Sequence, residues 1–141
     1  MPSAPDHHRA RRLALQGLCC LDVLGPDSLP LFSIFLRESR ETLETLAEAD
    51  AMLRGALAER LNADRLLQGE SQHWNLIRMA MVDRNILRLA LWEIMSRHAP
   101  KRVVIAEALL LANEFASVDS PRFINGVLDA AAKRLESGGD Q

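Results

Sequence analysis

Tyrosine is absent from this chain of 141 residues, and aromatic residues make up only 4%. Strands draw on aromatic and β-branched residues, so the scarcity argues against a sheet. There are two cysteines, Cys19 and Cys20, and they are adjacent. Neighbours on one helix point about 100° apart and do not bridge easily. They form no C-x-x-C pair and are too few for a structural zinc site, so reduced thiols are expected. No apolar run approaches the roughly 20 residues that a membrane span needs, so no membrane association is expected. The opening residues MPSAPDHHRARR hold no apolar core ahead of a cleavage site. No signal peptide is expected, and the expected address is the cytoplasm.

Catalytic motifs are missing as well. There is no Gly-rich phosphate loop, no G-x-S-x-G and no cysteine–histidine arrangement with context. Glu93 and His98 do not recur at metal-ligand spacing, and His73 and Trp74 read as a surface imidazole and boundary packing. The expectation is no enzyme, no catalytic residue, no metal and no cofactor. Lysine is nearly missing: only Lys101 and Lys133 among the 17 basic residues are not arginine. Arginine carries a planar five-donor fork suited to phosphate. The net charge of −2 excludes a general polycation, so any anion-binding surface must be local.

Leucine and alanine dominate, apolar residues make up 48%, and the length suits one domain with a real core. A first helix is expected from about His7 to Leu24, ended by Gly25-Pro26 and preceded by a disordered or capping leader. Ala10, Leu13, Ala14, Gly17, Leu18, Leu21 and Leu24 share its inner face. Arg9, Arg12 and Gln16 form a stripe beside that face, with His8 and Arg11 further round. Cations in the first turn face the positive end of the helix dipole, a local rule broken. Asp27 or Ser28 caps a second helix, with Pro30 in its first turn and Leu31, Phe32, Ile34, Phe35 and Leu36 on its buried side. A third run spans roughly Glu41 to Leu61, with Leu43, Leu46, Ala47, Leu53 and Leu57 inward. Asn62 to Gln72 is ambiguous, and Trp74, Leu76 and Ile77 begin another helical patch.

A helix beginning at Asp83, or just before it, carries Ile86, Leu87, Leu89, Ala90, Ile94 and Met95, and Ala99-Pro100 breaks it. Val103 to Phe115 is helical. Ser120-Pro121 is a cap-plus-N1 signature for a last helix reaching about Leu135. The sum is an all-α protein of six or seven helices.

Three phrases are more particular than generic core: D-R-N-I-L-R-L-A-L-W-E-I from Asp83, P-x-x-V-V-I-A-E-A-L-L-L-A from Pro100, and S-P-R-F-I-N-G-V-L-D from Ser120. With the N-terminal R-A-R-R-L-A-L-Q-G-L, their order and spacing resemble the NusB family of transcription antitermination factors. The resemblance implies one RNA-binding domain over 1–141, built of two small packed helical bundles at roughly 7–61 and 74–136. It implies binding to single-stranded boxA RNA of ribosomal RNA leader transcripts. It also implies pairing with the ribosomal protein NusE within an RNA polymerase antitermination complex. Two positions depart from the family pattern: Ala106 stands where Asn is usual, and Cys19 where an aromatic is usual.

The candidate RNA-binding residues are therefore His8, Arg9, Arg11, Arg12, Gln16, Asp119, Arg122 and Phe123. Arginine can grip phosphate through two N–H groups and stack on bases. Arg122 and Phe123 juxtapose a cation and an aromatic at a helix start. The bland alternatives are a solvated first turn for the cluster and core packing for Phe123. The candidate partner-binding residues are Asp83, Arg84 and Cys19, although helix-dipole complementarity alone could explain Asp83. Asn125 and Gly126 are expected to be architectural, the glycine marking a close helix–helix approach. A rival reading is a helical adaptor of the same fold that has lost RNA binding. Another is a homodimer formed through the RNA-facing surface.

Overall fold

The computed structural model describes residues 4–68 and 79–139, all of the secondary structure there being helical. The sequence expectations for His73, Trp74, Leu76 and Ile77 lie outside the described residues. Seven α-helices occur among the described residues: α1 His7–Leu24, α2 Leu29–Glu38, α3 Leu43–Ala58, α4 Arg60–Gln68, α5 Met81–Met95, α6 Lys101–Phe115 and α7 Ser120–Gly139. A 3-10 turn, Pro26–Ser28, precedes α2. None of the helices is long and apolar enough to cross a membrane.

Helix α1 starts where the sequence places it because Asp6 caps it. The Asp6 carboxylate accepts from the Arg9 backbone N–H at 3.0 Å, offsetting part of the cost of cations at that end. Gly25, at φ 92°, ends α1 in a conformation that side chains resist, and its N–H reaches Leu21 O at 2.8 Å. Thr42 caps α3 through the Thr45 N–H, and the Asp6 N–H donates to Thr45 Oγ1 at 3.0 Å. The starts of α1 and α3 are thereby tied together. Ser120 acts differently from the expected cap. Its hydroxyl accepts from the Ser117 N–H at 3.2 Å and so braces the preceding turn.

Helix α1 packs most extensively on α3, while α5, α6 and α7 pack on one another. Helix α5 also touches α1, α3 and α4, and one continuous core runs through all of these elements. Close approaches set the spacing. A Cβ on Gly17 would fall 2.4 Å from the Phe32 ring, and one on Gly55 would fall 2.3 Å from Trp92. Both glycines exist to admit an aromatic ring.

Several expected core positions lie elsewhere. Leu43 is 80% exposed and Ala47 is exposed, whereas Leu53 is buried as expected and Leu46 and Leu57 pack against the core; α3 also buries Thr45, Ala49, Met52 and Ala56. The Thr42 cap and the Asp6–Thr45 bond set that register, which leucine spacing alone does not reveal. On α2 only Phe32 and Leu36 are buried, leaving Leu31, Ile34 and Phe35 exposed. Leu24, at the end of α1, is exposed as well. Asn125 and Gly126 are exposed on α7, and nothing lies within 4 Å of where a Gly126 Cβ would stand. Gly126 therefore marks no close helix–helix approach.

Candidate nucleic-acid interface

The α1 cations divide into two groups. Arg11 faces inward and is 4% exposed. Its guanidinium grips Glu93 of α5 with Nε–Oε2 at 3.0 Å and Nη2–Oε1 at 2.9 Å. Glu93 is itself buried and also meets His98 Nδ1 at 3.0 Å, while His98 Nε2 reaches Glu48 at 2.7 Å. Glu107 of α6 stands 3.9 Å from Arg11 Nη1. Arg11 is thus a buried tie between α1 and α5. This corrects the expectation that it contacts RNA: its donors are turned into the protein and spent on a carboxylate.

Arg9, Arg12 and Gln16 are exposed and His8 is half-buried, so a polar stripe runs along the outside of α1. Arg12 lies over the Phe115 ring at 5.6 Å and pairs with Glu114 at 2.9 Å. Arg9 reaches Glu41 at 3.3 Å. His8 bridges Glu107 at 2.7 Å and Glu114 at 2.8 Å. The hydrogen bond to Glu107 holds the His8 pKa above its ordinary value, helped by Glu114 and opposed by partial burial. The carboxylates of Glu41, Glu107 and Glu114 were not foreseen. The i, i+7 spacing of Glu107 and Glu114 could have placed them on one face of α6, but nothing local to α6 says that α1 lies opposite.

Phe115 leads into the turn before α7, so the stripe on α1 adjoins that turn. Beyond it, Met79, Ala80, Asp83, Ser117, Asp119, Ser120 and Phe123 line an open cavity of about 330 Å³. Phe123 is half-buried there, whereas Arg122 is exposed on the outer face of α7 with Asn125, Gly126 and Asp129. Among the described residues no carboxylate pairs with Arg122. Asp83 is not the exposed residue expected for a partner contact. It is 8% exposed, and among the described residues its Oδ1 has no hydrogen-bond partner.

The other two partner candidates lie together at the seam of α1 and α5. Arg84 Nη2 donates to Asp22 at 2.8 Å, and Asn85 Nδ2 donates to the same oxygen at 2.9 Å. Arg88 binds Asp64 through Nε at 2.8 Å and Nη2 at 2.9 Å. Burial raises the Asp22 pKa, but the hydrogen bonds from Arg84 and Asn85, with the Arg84 and Arg88 charges, bring it below its ordinary value. Burial, helped by the Asp22 charge and opposed by Asn85 and Arg84, pushes the Cys19 thiol up to about 11. Among the described residues no group of three or more His, Cys, Asp and Glu could hold a metal ion.

The family model for NusB matches residues 8–133, which takes in the α1 stripe, the seam and the α7 turn. The chain belongs to the NusB family. It is 40% identical over 131 residues to the transcription antitermination protein NusB of Geobacter sulfurreducens, covering 92% of this chain and 95% of that one. The structure of T. maritima NusB superposes with a TM-score of 0.83 at 26% identity, covering 93% of each chain. A chain from the complex of antitermination factors NusB and NusE with double-stranded RNA shares the fold, with a TM-score of 0.80 at 24% identity, covering 92% of this chain and 98% of that one. Its relatives in Geobacter sulfurreducens and Anaeromyxobacter are transcription antitermination proteins.

Proposed function

We propose that this chain binds single-stranded boxA-type RNA of ribosomal RNA leader transcripts and pairs with NusE, and that the pair assembles on elongating RNA polymerase in the cytoplasm. The observation that carries the RNA part is the outward stripe of His8, Arg9, Arg12 and Gln16, with Arg12 laid over Phe115. Single-stranded RNA is held by cationic grooves combined with stacking surfaces, and this stripe adjoins the turn that carries Asp119, Arg122 and Phe123. Arg9, Arg12 and Arg122 engage phosphate, and Phe123 offers a ring to a base. Asp119 limits or orients the cations. NusE docks on the seam that holds Cys19 and Arg84. The solved complex of a NusB and NusE with double-stranded RNA supports the pairing with NusE. Two modest contacts on one scaffold reinforce each other through effective concentration, so the RNA and NusE are selected jointly.

The rival is an adaptor that keeps NusE and has lost RNA. It draws support from the carboxylates already seated on Arg9 and Arg12 and from the small Cys19. An electrophoretic shift with boxA RNA, with and without NusE, decides between them. A shift that strengthens with NusE supports RNA binding, and NusE capture with no shift under either condition supports the adaptor. Light scattering with and without RNA tests the remaining possibility, a free homodimer closed over the RNA-facing stripe.

A further inference from the structure

Arg12 meets a carboxylate before any RNA arrives. Its Nε stands 2.9 Å from Glu114 Oε2, and the other oxygen of that carboxylate meets His8 Nε2 at 2.8 Å. One α6 side chain therefore spans two members of the outward stripe on α1. The Arg12 and Glu114 side chains are 44% and 33% exposed, so water and ligands reach the pair. Glu114 is not what seats α1. Arg11 and Glu93 tie α1 to α5 from inside, and His8 Nδ1 meets Glu107 at 2.7 Å to tie α1 to α6. An ion pair as open as Arg12–Glu114 adds little stability, because both charges are well solvated when apart. Its effect on an arriving anion is direct. A phosphate on Arg12 either displaces the carboxylate from Nε or sits beside it at the free edge of the guanidinium. The first course breaks a charged hydrogen bond, and the second holds two anions a few Å apart.

We propose that Glu114 is a built-in competitor for RNA phosphate at Arg12, and that it lowers the affinity of the chain for single-stranded RNA of any sequence. The inference rests on the RNA-binding reading above. The two carboxylates on this face of α6 divide the work. Glu107, 3.9 Å from the buried Arg11, belongs to the packing of α1, whereas Glu114 acts at the surface. A phosphate contact positions a nucleic acid and carries no base information. Attenuation at Arg12 therefore weakens chance encounters and true sites alike. Retention then falls to the contacts that only the right transcript and its protein partner add, through effective concentration.

The test titrates the full chain with boxA RNA and with a scrambled RNA of the same length, at low ionic strength, followed by fluorescence anisotropy. Glu114→Gln keeps the shape of the side chain and removes its charge. It should bind both RNAs roughly two- to fivefold more tightly than the wild type, the size of one exposed charge interaction. Glu114→Ala should show the same gain. The unfolding midpoint of either variant should stay within about 3 °C of the wild type. Arg12 closes a double-mutant cycle: in an Arg12→Ala background the gain from Glu114→Gln should largely vanish. Glu136→Gln, the same charge change at the Lys101 pair on α7, should give no gain. Wild-type binding that neither Glu114 variant tightens overturns the inference and leaves the RNA-binding reading intact. A gain of equal size without Arg12, or in Glu136→Gln, reduces the effect to net charge and also overturns it. If neither the wild type nor Glu114→Gln binds boxA RNA, the RNA-binding reading fails and this inference fails with it.

Discussion

Replacing Arg11 with alanine would leave Glu93 as a buried carboxylate whose main cation is gone. The side chains of Arg11 and Glu93 are 5% and 2% exposed, so water cannot take over the lost contacts. Removing one member of a buried ion pair costs roughly 3–5 kcal/mol. His98 keeps its contact with Glu93 at 3.0 Å, which favours the lower end of that range. A domain has only about 5–15 kcal/mol of stability in total. At about 3–4 °C per kcal/mol, the midpoint of thermal unfolding should fall by roughly 10 °C or more. Arg9→Ala and Arg12→Ala should each cost no more than about 1 kcal/mol, since surface ion pairs contribute little. Replacing both members, Arg11→Met with Glu93→Leu, should recover most of the loss. Urea or thermal unfolding followed by helical circular dichroism measures all four variants. If Arg11→Ala unfolds with the wild type while losing as much RNA affinity as Arg12→Ala, Arg11 is a surface phosphate contact and the division of the cluster is wrong.

Two glycines should respond in opposite ways. Gly55→Ala drives a Cβ into Trp92 and should destabilise the fold by roughly 1–3 kcal/mol, whereas Gly126→Ala meets open space and should gain up to about 1 kcal/mol in helix propensity; thermal unfolding compares them. His8 has a raised folded pKa, so the stability it contributes between Glu107 and Glu114 is fully present below about 6.5 and is lost as pH rises through the folded value. His8→Gln should flatten the pH dependence of the unfolding midpoint in that window; an unchanged profile would contradict the pairing. With its thiol pushed up to about 11, Cys19 should be alkylated at pH 8 more slowly than a free cysteine, as read by peptide mass spectrometry.

Local chemistry made much of the fold legible. Asp6 and Gly25 bound α1 at the residues expected from the sequence, because caps act within one turn. Registers set across the chain were not legible. Leucine spacing suggested Leu43 and Ala47 as inward residues of α3, but the Thr42 cap and the Asp6–Thr45 bond turn Thr45 and Ala49 inward instead. The breadth of the α1 inner face hid the fate of Arg11, since α3 and α5 both pack on that helix and leave Arg9, Arg12 and Gln16, but not Arg11, outside. Asp83 was legible as a favourable residue at a helix start. Its burial beside Phe123 depends on where α7 lies, which no pattern within α5 reveals.

The central claim is that exposed arginines on α1 hold RNA phosphate, and a salt titration tests it most directly. With Arg9, Arg12 and Arg122 neutralising about three phosphates, log K for boxA RNA against log salt should have a slope near −2, from about −0.7 per contact on single strands. In the Arg9→Ala, Arg12→Ala double variant the slope should shrink to about −0.7 while the unfolding midpoint stays close to that of the wild type. A slope near zero in the wild type, or one that the double variant leaves unchanged, would contradict the account.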